Sequence, residues 1–230
     1  MREVYVVGFG GSAGSGKTTA ANMLAEIARP IQPEHFEFSD PIIRIGSSLL
    51  TYISDNQNSR PEDYKDILLD KLSEYGMSVS SNQNIPQLAG DYIESLHSGE
   101  LVELTHETKN QHRPLLEWLG RSAIIVATPT VWGDILRRNI DVSLRAGTGL
   151  ITIGGVRTIA DRDLVCELSG SIIRLVRELP ENVQLDTEYQ LSKWTADYTI
   201  FNEKTKIELF EEISRVWVDI IENNAQNIVQ

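Results

Sequence analysis

The stretch that decides the fold of this chain is Val4-Tyr5-Val6-Val7-Gly8-Phe9-Gly10-Gly11-Ser12-Ala13-Gly14-Ser15-Gly16-Lys17-Thr18-Thr19. Its first part is an apolar run with the length of a buried strand, and the chain from Lys17 onward carries apolar residues at helical spacing. The glycine-rich part between them fits the pattern G-x-x-x-x-G-K-[ST], which binds phosphate when a strand precedes it and a helix follows. The stretch therefore predicts a P-loop.

The residue types of this loop indicate its chemistry. Glycines let backbone N–H groups converge on phosphate oxygens, and the N-terminus of the following helix adds the positive end of its dipole. Lys17 is suited to neutralise the β- and γ-phosphates of a nucleotide, and Thr18 can ligate Mg²⁺. We therefore expect ATP and Mg²⁺ as cofactors. The predicted cofactor-binding residues are Gly11, Ser12, Ala13, Gly14, Ser15, Gly16, Lys17, Thr18 and Thr19.

Composition limits the possible partners. The chain has 230 residues, of which 41% are hydrophobic, enough for one α/β domain with a smaller insertion. Its formal net charge of -12 opposes unspecific binding to nucleic acid or to an anionic membrane. No apolar run is long enough to span a bilayer. The apolar segment near the N-terminus is the predicted strand before the P-loop, so we do not interpret it as a signal peptide. We expect a cytoplasmic protein with small-molecule partners. We also expect the thiol of Cys166 to be buried.

The second predicted strand, around His35 to Phe38, is followed by Ser39-Asp40-Pro41. This triplet is typical of a helix start, with Ser39 and Asp40 as caps and Pro41 in the first helical position. In a parallel sheet the carboxyl ends of the strands share one edge, so we also expect Asp40 near the transferred phosphate. Arg44, one turn further on, is then a candidate for binding a substrate phosphate.

Residues 55 to 111 have a different composition, rich in Asn, Gln, Ser, Asp and Glu, and are predicted to form an inserted subdomain of two or three amphipathic helices. Three histidines, His97, His106 and His112, stand here among glutamates. Their spacing matches no metal-ligand pattern, so we expect solvated side chains and assign them no chemistry.

Four arginines after this region could contact phosphate. Arg113 and Arg121 flank Glu117 at four-residue spacing on one helix. That spacing on its own favours an ion-pair ladder, although planar guanidinium groups also suit a phosphate monoester. Arg157 follows the third predicted strand, at the sheet edge where α/β folds bind ligands, and Arg177 ends the fourth predicted strand.

The order of several motifs along the chain resembles that of the deoxynucleoside monophosphate kinases of bacteriophages. They are the P-loop, Ser39-Asp40-Pro41-Ile42, residues 113–120, Trp132, Val156-Arg157, Val176-Arg177, Thr187-Glu188 and residues 197–202. The resemblance covers both ends of the chain and fades between residues 55 and 111. It implies a P-loop NTPase fold, with a five-stranded parallel sheet of order 2-3-1-4-5 flanked by helices. It also implies that residues 55–111 are the NMP-binding insertion and that residues 178–195 are a lid.

The same resemblance implies transfer of the γ-phosphoryl group of ATP to a deoxynucleoside 5′-monophosphate. Arg113, Arg157 and Arg177 match family positions at the substrate and the phosphates, and Glu188 is placed at the substrate. The family usually has an aspartate two residues before the arginine of the third-strand motif, where this chain has Gly155. We therefore expect Asp40 to replace that carboxylate at Mg²⁺.

Other functions remain open at this stage. The acceptor could be dephospho-coenzyme A or a modified base within DNA, although the acidic charge opposes a DNA substrate. The chain could also be a nucleotide-dependent switch, but the Gly154-Gly155 strand end lacks the aspartate that such a protein needs. If Asp40 is only a cap, Asp161 is the next carboxylate to consider for the metal. A homodimer is possible.

Overall fold

The computed structural model describes residues 4–12, 14–56, 60–98, 102–177, 194–203 and 205–228. The chain divides into two compact units. One contains Met1–Phe38 and Arg137–Gln230, and the other contains Ser39–Leu136. We refer to them as the sheet unit and the helical unit.

The sheet unit is built on five parallel strands in the order β2-β3-β1-β4-β5, which confirms the predicted fold class and strand order. Every residue of β1 and β3 is buried, as expected for central strands covered on both faces. The strands are β1 Tyr5–Gly10, β2 Pro33–Glu37, β3 Leu150–Val156, β4 Ser171–Val176 and β5 Tyr198–Phe201.

Helices cover both faces of this sheet. On one face, Val7 and Phe9 pack in a core with Leu24 of α1 (Lys17–Ile27) and Ile213 of α8 (Lys206–Ile228). On the other face lies α7 (Ile159–Glu167), whose Val165 side chain would be 3.0 Å from a Cβ atom built at Gly8. Because side chains alternate along a strand, the neighbours Val7 and Gly8 face opposite layers.

The helical unit has a core of its own, with Leu49, Leu68 and Leu119 fully buried in it. Its α-helices are α2 Asp40–Asp55, α3 Pro61–Glu74, α4 Gly90–Ser98, α5 Arg113–Val126 and the first part of α6 Val131–Ala146, with a 3-10 turn at Lys109–His112. The predicted insertion, residues 55–111, lies within this unit, and its role in substrate binding stays a prediction. Most of the predicted lid, residues 178–193, lies outside the described residues.

Two predictions about single side chains were wrong. Cys166 is exposed, because α7 turns its neighbours Leu164 and Val165 towards the interior and the next position outward. Ser39 stands at the N-cap of α2 as predicted, yet its side chain makes no capping hydrogen bond. Pro41 does lie in the first turn of α2.

Among the described residues, no helix has both the length and the apolar character needed to cross a membrane.

Candidate functional site

The P-loop connects the carboxyl end of β1 to α1, as the sequence predicts. Gly11 has φ 138°, and a Cβ atom there would overlap the carbonyl oxygen of Leu175 at 2.3 Å, so only glycine fits. Gly16 has φ 99° and is the N-cap residue of α1. Its lack of a side chain lets the first N–H groups of α1 open towards the loop, the arrangement that receives phosphate at a helix N-terminus.

Lys17 folds back over this loop. Its Nζ donates hydrogen bonds to the carbonyl oxygens of Gly11 at 2.9 Å and Ser12 at 2.6 Å. The ammonium group is thus held at the mouth of the loop, where phosphate charge would enter. Thr18, in the first turn of α1, is exposed. The predicted loop residue Ala13 lies outside the described residues.

Ser15 contributes a buried hydroxyl to the loop. The residue is fully buried, and its Oγ has no hydrogen-bond partner in the described part of the chain. A buried hydroxyl without a partner costs on the order of 1–3 kcal/mol. The loop therefore contains a polar atom that a bound oxygen-rich ligand could satisfy.

Three residues from the ends of β4 and β5 and the start of α8 complete the site. Arg177 directs its Nη1 towards the carbonyl oxygen of Gly14 at 3.4 Å. Asn202 donates from Nδ2 to the carbonyl oxygen of Ser15 at 2.7 Å. Lys206 begins α8 beside them. Sequence reasoning identified Arg177 but assigned no role to Asn202 or Lys206, because only the fold brings α8 next to the loop.

These residues enclose an open cavity of about 450 Å³. Among the residues that the structure describes, its lining contains three cationic side chains and no carboxylate, although the whole chain has a net charge of -12. Basic charge is thus concentrated at the P-loop, as a polyanionic ligand requires. The lining residues are Gly14, Gly16, Lys17, Thr18, Thr19, Arg177, Asn202, Lys206 and Leu209.

Arg157 lies at the end of β3 and is held through its backbone. Its N–H donates to Asp161 Oδ2 at 2.9 Å, and its carbonyl oxygen accepts from Trp194 Nε1 at 3.2 Å. Trp194, at the end of the predicted lid segment, is buried, and its ring would be 3.0 Å from a Cβ atom at Gly10. Because both hydrogen bonds use backbone atoms of Arg157, its guanidinium group is available for a ligand.

Asp161 serves as a capping residue of α7. Its Oδ2 also accepts the N–H of Thr158 at 2.8 Å, and the Thr158 hydroxyl accepts the N–H of Asp161 at 3.1 Å, so the two residues form a capping box, as the Thr-x-x-Asp sequence indicates. Burial raises the pKa of Asp161, and the backbone hydrogen bonds partly oppose this shift. An oxygen shared between two backbone donors makes Asp161 a poor second choice for a metal.

The remaining predicted substrate and metal residues belong to the helical unit. Arg44 and Arg121 are exposed, and Arg113 Nε donates to Glu117 Oε1 at 2.8 Å, the predicted ion pair. This bond holds the pKa of Glu117 below its usual value. Asp40 Oδ1 accepts a hydrogen bond from His106 Nε2 at 2.8 Å. The predicted substrate residue Glu188 lies outside the described residues.

Two histidines of the helical unit, His97 and His112, are not simply solvated, so that expectation was wrong for them, whereas His106 is exposed. His112 is 3% exposed, and its Nδ1 lies 2.9 Å from the hydroxyl of Tyr92. Burial lowers the pKa of His112 and raises that of Tyr92 to about 12. His97 donates to the carbonyl oxygen of Ile53 at 2.9 Å. Among the described residues no group of three or more His, Cys, Asp or Glu side chains could hold a metal ion.

Comparisons with known proteins add little to this geometry. No protein-family model matches the sequence, and no curated protein does. Among solved structures, an unliganded sugar kinase from Janibacter is 15% identical, with 94% of this chain and 95% of the other covered, at a TM-score of 0.39. The protein TT1252 from Thermus thermophilus is 13% identical, with 95% and 98% covered, at a TM-score of 0.45. Likenesses at this level do not assign a function.

The class of the protein follows from its own fold and loop. It is an α/β protein with a five-stranded parallel sheet and a P-loop at the carboxyl end of the central strand β1.

Proposed function

We propose that this protein is an ATP-dependent phosphotransferase that phosphorylates a deoxynucleoside 5′-monophosphate to the diphosphate. The observation that carries the proposal is the P-loop cavity, in which Lys17, Arg177 and Lys206 converge and none of the described lining residues has a carboxylate. A triphosphate is the common cellular ligand that needs this much positive charge beside a helix N-terminus.

The loop residues divide the work of binding ATP. The N–H groups at the start of α1 face the phosphates, and Lys17 neutralises charge on the β- and γ-phosphates. The buried Ser15 hydroxyl, which has no partner in the described part of the chain, gains one from the ligand. Arg177 and Asn202 also line the cavity, where they are suited to contact the nucleotide.

Mg²⁺ fits this site through oxygen donors. Thr18 presents an exposed hydroxyl in the first turn of α1, and Mg²⁺ prefers hard oxygen ligands, most of them water and phosphate in nucleotide sites. When bound, Mg²⁺ would neutralise charge developing on the transferred phosphoryl group. Thr18 would hold the ion, and a carboxylate of the chain would orient its waters.

An acceptor that is itself a phosphate needs cations and no general base. Phosphoryl transfer depends on positioning and on stabilising charge, because the acceptor oxygen is already anionic. Arg157 is available for this role in the sheet unit, and Arg44, Arg113 and Arg121 are the candidates in the helical unit. The assignment of Arg113 and Arg157, and of a deoxynucleotide acceptor, rests on the family resemblance, whereas Arg44 and Arg121 are candidates because of their positions on the helices.

The test is an acceptor panel. Purified protein is incubated with ATP, Mg²⁺ and each deoxynucleoside monophosphate, each nucleoside monophosphate, dephospho-coenzyme A or DNA containing a modified base, and ADP and the phosphorylated product are quantified. We expect equal amounts of ADP and a deoxynucleoside diphosphate. Product from dephospho-coenzyme A or DNA alone would identify another acceptor. ATP hydrolysis that no acceptor accelerates would contradict the kinase assignment.

A further inference from the structure

We propose that Glu37, at the end of β2, supplies the carboxylate that orients Mg²⁺ beside the P-loop. The proposal rests on the proposed function, since it concerns the metal of the same ATP site. It assigns to Glu37 the role that the sequence analysis gave to Asp40. The need for such a residue arises because β3 ends in Gly154-Gly155 and provides no carboxylate of its own.

Strand register brings Glu37 into line with β3 and β1. Glu37 pairs with Gly154, and Gly154 pairs with Phe9 on the opposite side. Residues paired across parallel strands point to the same face of the sheet. Phe9 faces the layer that contains α1, since both belong to one hydrophobic core. The Glu37 side chain therefore lies on the face of the sheet that is covered by α1, the helix that begins with Lys17.

The carboxylate of Glu37 fills the place that a side chain on β3 would occupy. A Cβ atom built at Gly154 would overlap this carboxylate, with Oε2 2.7 Å away, and one at Gly155 would lie 3.1 Å from Oε2. Gly154 has no unusual backbone conformation that would itself require glycine. Because Gly154 of β3 has no side chain, the carboxylate of Glu37 can extend from β2 over β3, in the direction of β1.

His35 holds the Glu37 carboxylate in this position and is itself anchored by Thr152. His35 Nε2 lies 3.2 Å from Glu37 Oε1, and His35 Nδ1 lies 2.9 Å from the hydroxyl of Thr152. A carboxylate only accepts hydrogen bonds, so Nε2 carries the hydrogen and donates it. Thr152 is 1% exposed on β3, so the imidazole is anchored to a rigid strand. The side chain of Glu37 is only 18% exposed, which limits its freedom further.

The direct test measures metal binding rather than turnover. Mn²⁺ replaces Mg²⁺ so that free and bound metal can be distinguished by electron paramagnetic resonance, with a non-hydrolysable ATP analogue present. We expect Glu37→Gln to weaken Mn²⁺ binding by about 10- to 100-fold, the usual effect of removing a group that orients metal ligands. Affinity for the analogue without metal should stay within about twofold of wild type, because Glu37 acts through the metal.

A matched control removes the same charge elsewhere in the sheet unit. Glu26 is exposed near the end of α1, so Glu26→Gln should leave the Mn²⁺ affinity unchanged. Asp40→Asn is measured in parallel as the competing candidate. Wild-type Mn²⁺ affinity in Glu37→Gln, or a loss confined to Asp40→Asn, would overturn the assignment of Glu37 while leaving the proposed function intact. Failure of the wild-type protein to bind the analogue at all would overturn both.

A stability measurement tests the position of the carboxylate independently. Gly154→Ala should lower the melting temperature because the new methyl group meets Glu37. In the Glu37→Ala background the same substitution should cost much less, since the obstructing carboxylate is gone. Such non-additivity is what two residues in direct contact produce. Equal losses in both backgrounds would show that Glu37 does not occupy the space above Gly154, and would overturn the proposal.

Discussion

Asn202, at the end of β5, donates a hydrogen bond from Nδ2 to the carbonyl oxygen of Ser15 at 2.7 Å, and so ties the far side of the sheet to the middle of the P-loop. The same Nδ2 would overlap a Cβ atom built at Gly16, so only glycine fits there. The backbone N–H of Asn202 donates a hydrogen bond to the carbonyl oxygen of Val176 at 2.7 Å. The loop conformation therefore depends on a side chain that is far away in sequence.

Asn202→Ala is expected to weaken ATP binding by about fivefold, because one hydrogen bond that preorganises the loop is worth on the order of 1 kcal/mol. Isothermal titration calorimetry with ATP measures the effect. Asn223→Ala is the control, since Asn223 donates to the Tyr198 hydroxyl on the exposed side of α8 and should leave affinity unchanged. Equal affinities for all three proteins would show that the loop is rigid without Asn202.

Lys17→Ala is expected to reduce phosphoryl transfer by at least about a hundredfold, because a preorganised cation at the phosphates is lost. The fold should remain, since the half-buried Lys17 ammonium binds two loop carbonyls and is not part of a core. Turnover and far-ultraviolet circular dichroism are measured together. Lys71→Ala, which removes the partner of the exposed Glu74 in α3, should keep full turnover. Undiminished activity in Lys17→Ala would contradict the P-loop assignment.

Arg157→Ala is expected to lower kcat by about 10²- to 10³-fold while the melting temperature changes little. The contacts of Arg157 with Asp161 and Trp194 both use backbone atoms, which the substitution retains. The control is Arg162→Ala, because Arg162 pairs with Asp163 on α7 and faces no proposed ligand. A wild-type kcat in Arg157→Ala would show that this arginine is a surface residue with no role in the reaction.

The burial of His112 predicts a pH-dependent stability of the protein. Its pKa is lowered in the folded state, so the unfolded chain binds a proton first as the pH falls. The free energy of unfolding should therefore be fully retained above about pH 6.5, the ordinary value for histidine, and decrease below it. Urea titrations from pH 5 to 8, followed by tryptophan fluorescence, measure this dependence.

His112→Gln should flatten the stability profile below pH 6.5, because glutamine does not take up a proton there. His97→Gln replaces another half-buried histidine of the same unit and is measured as the control. If the two variants behave alike, the slope does not arise from His112.

The sequence by itself determined the P-loop, the strand before it and the helix after it, whereas the order of the sheet was implied by the family resemblance. The P-loop and these two elements depend on contiguous patterns: an apolar run, glycines at set intervals, and a lysine and a hydroxyl where the helix begins. The ion pair of Arg113 with Glu117 and the cap formed by Thr158 and Asp161 were also predictable, since each joins residues three or four apart on one helix.

Only the tertiary structure decided which distant residues share the site. Lys206 and Asn202 reach the P-loop because β5 ends and α8 begins beside it, and neither position carries a local signal for phosphate. Glu37 lies over Gly154 because parallel strands far apart in sequence meet in one register, and a shift of one residue would turn its side chain to the other face. Register is set by the packing of the whole sheet, so no short motif of this chain could reveal that contact.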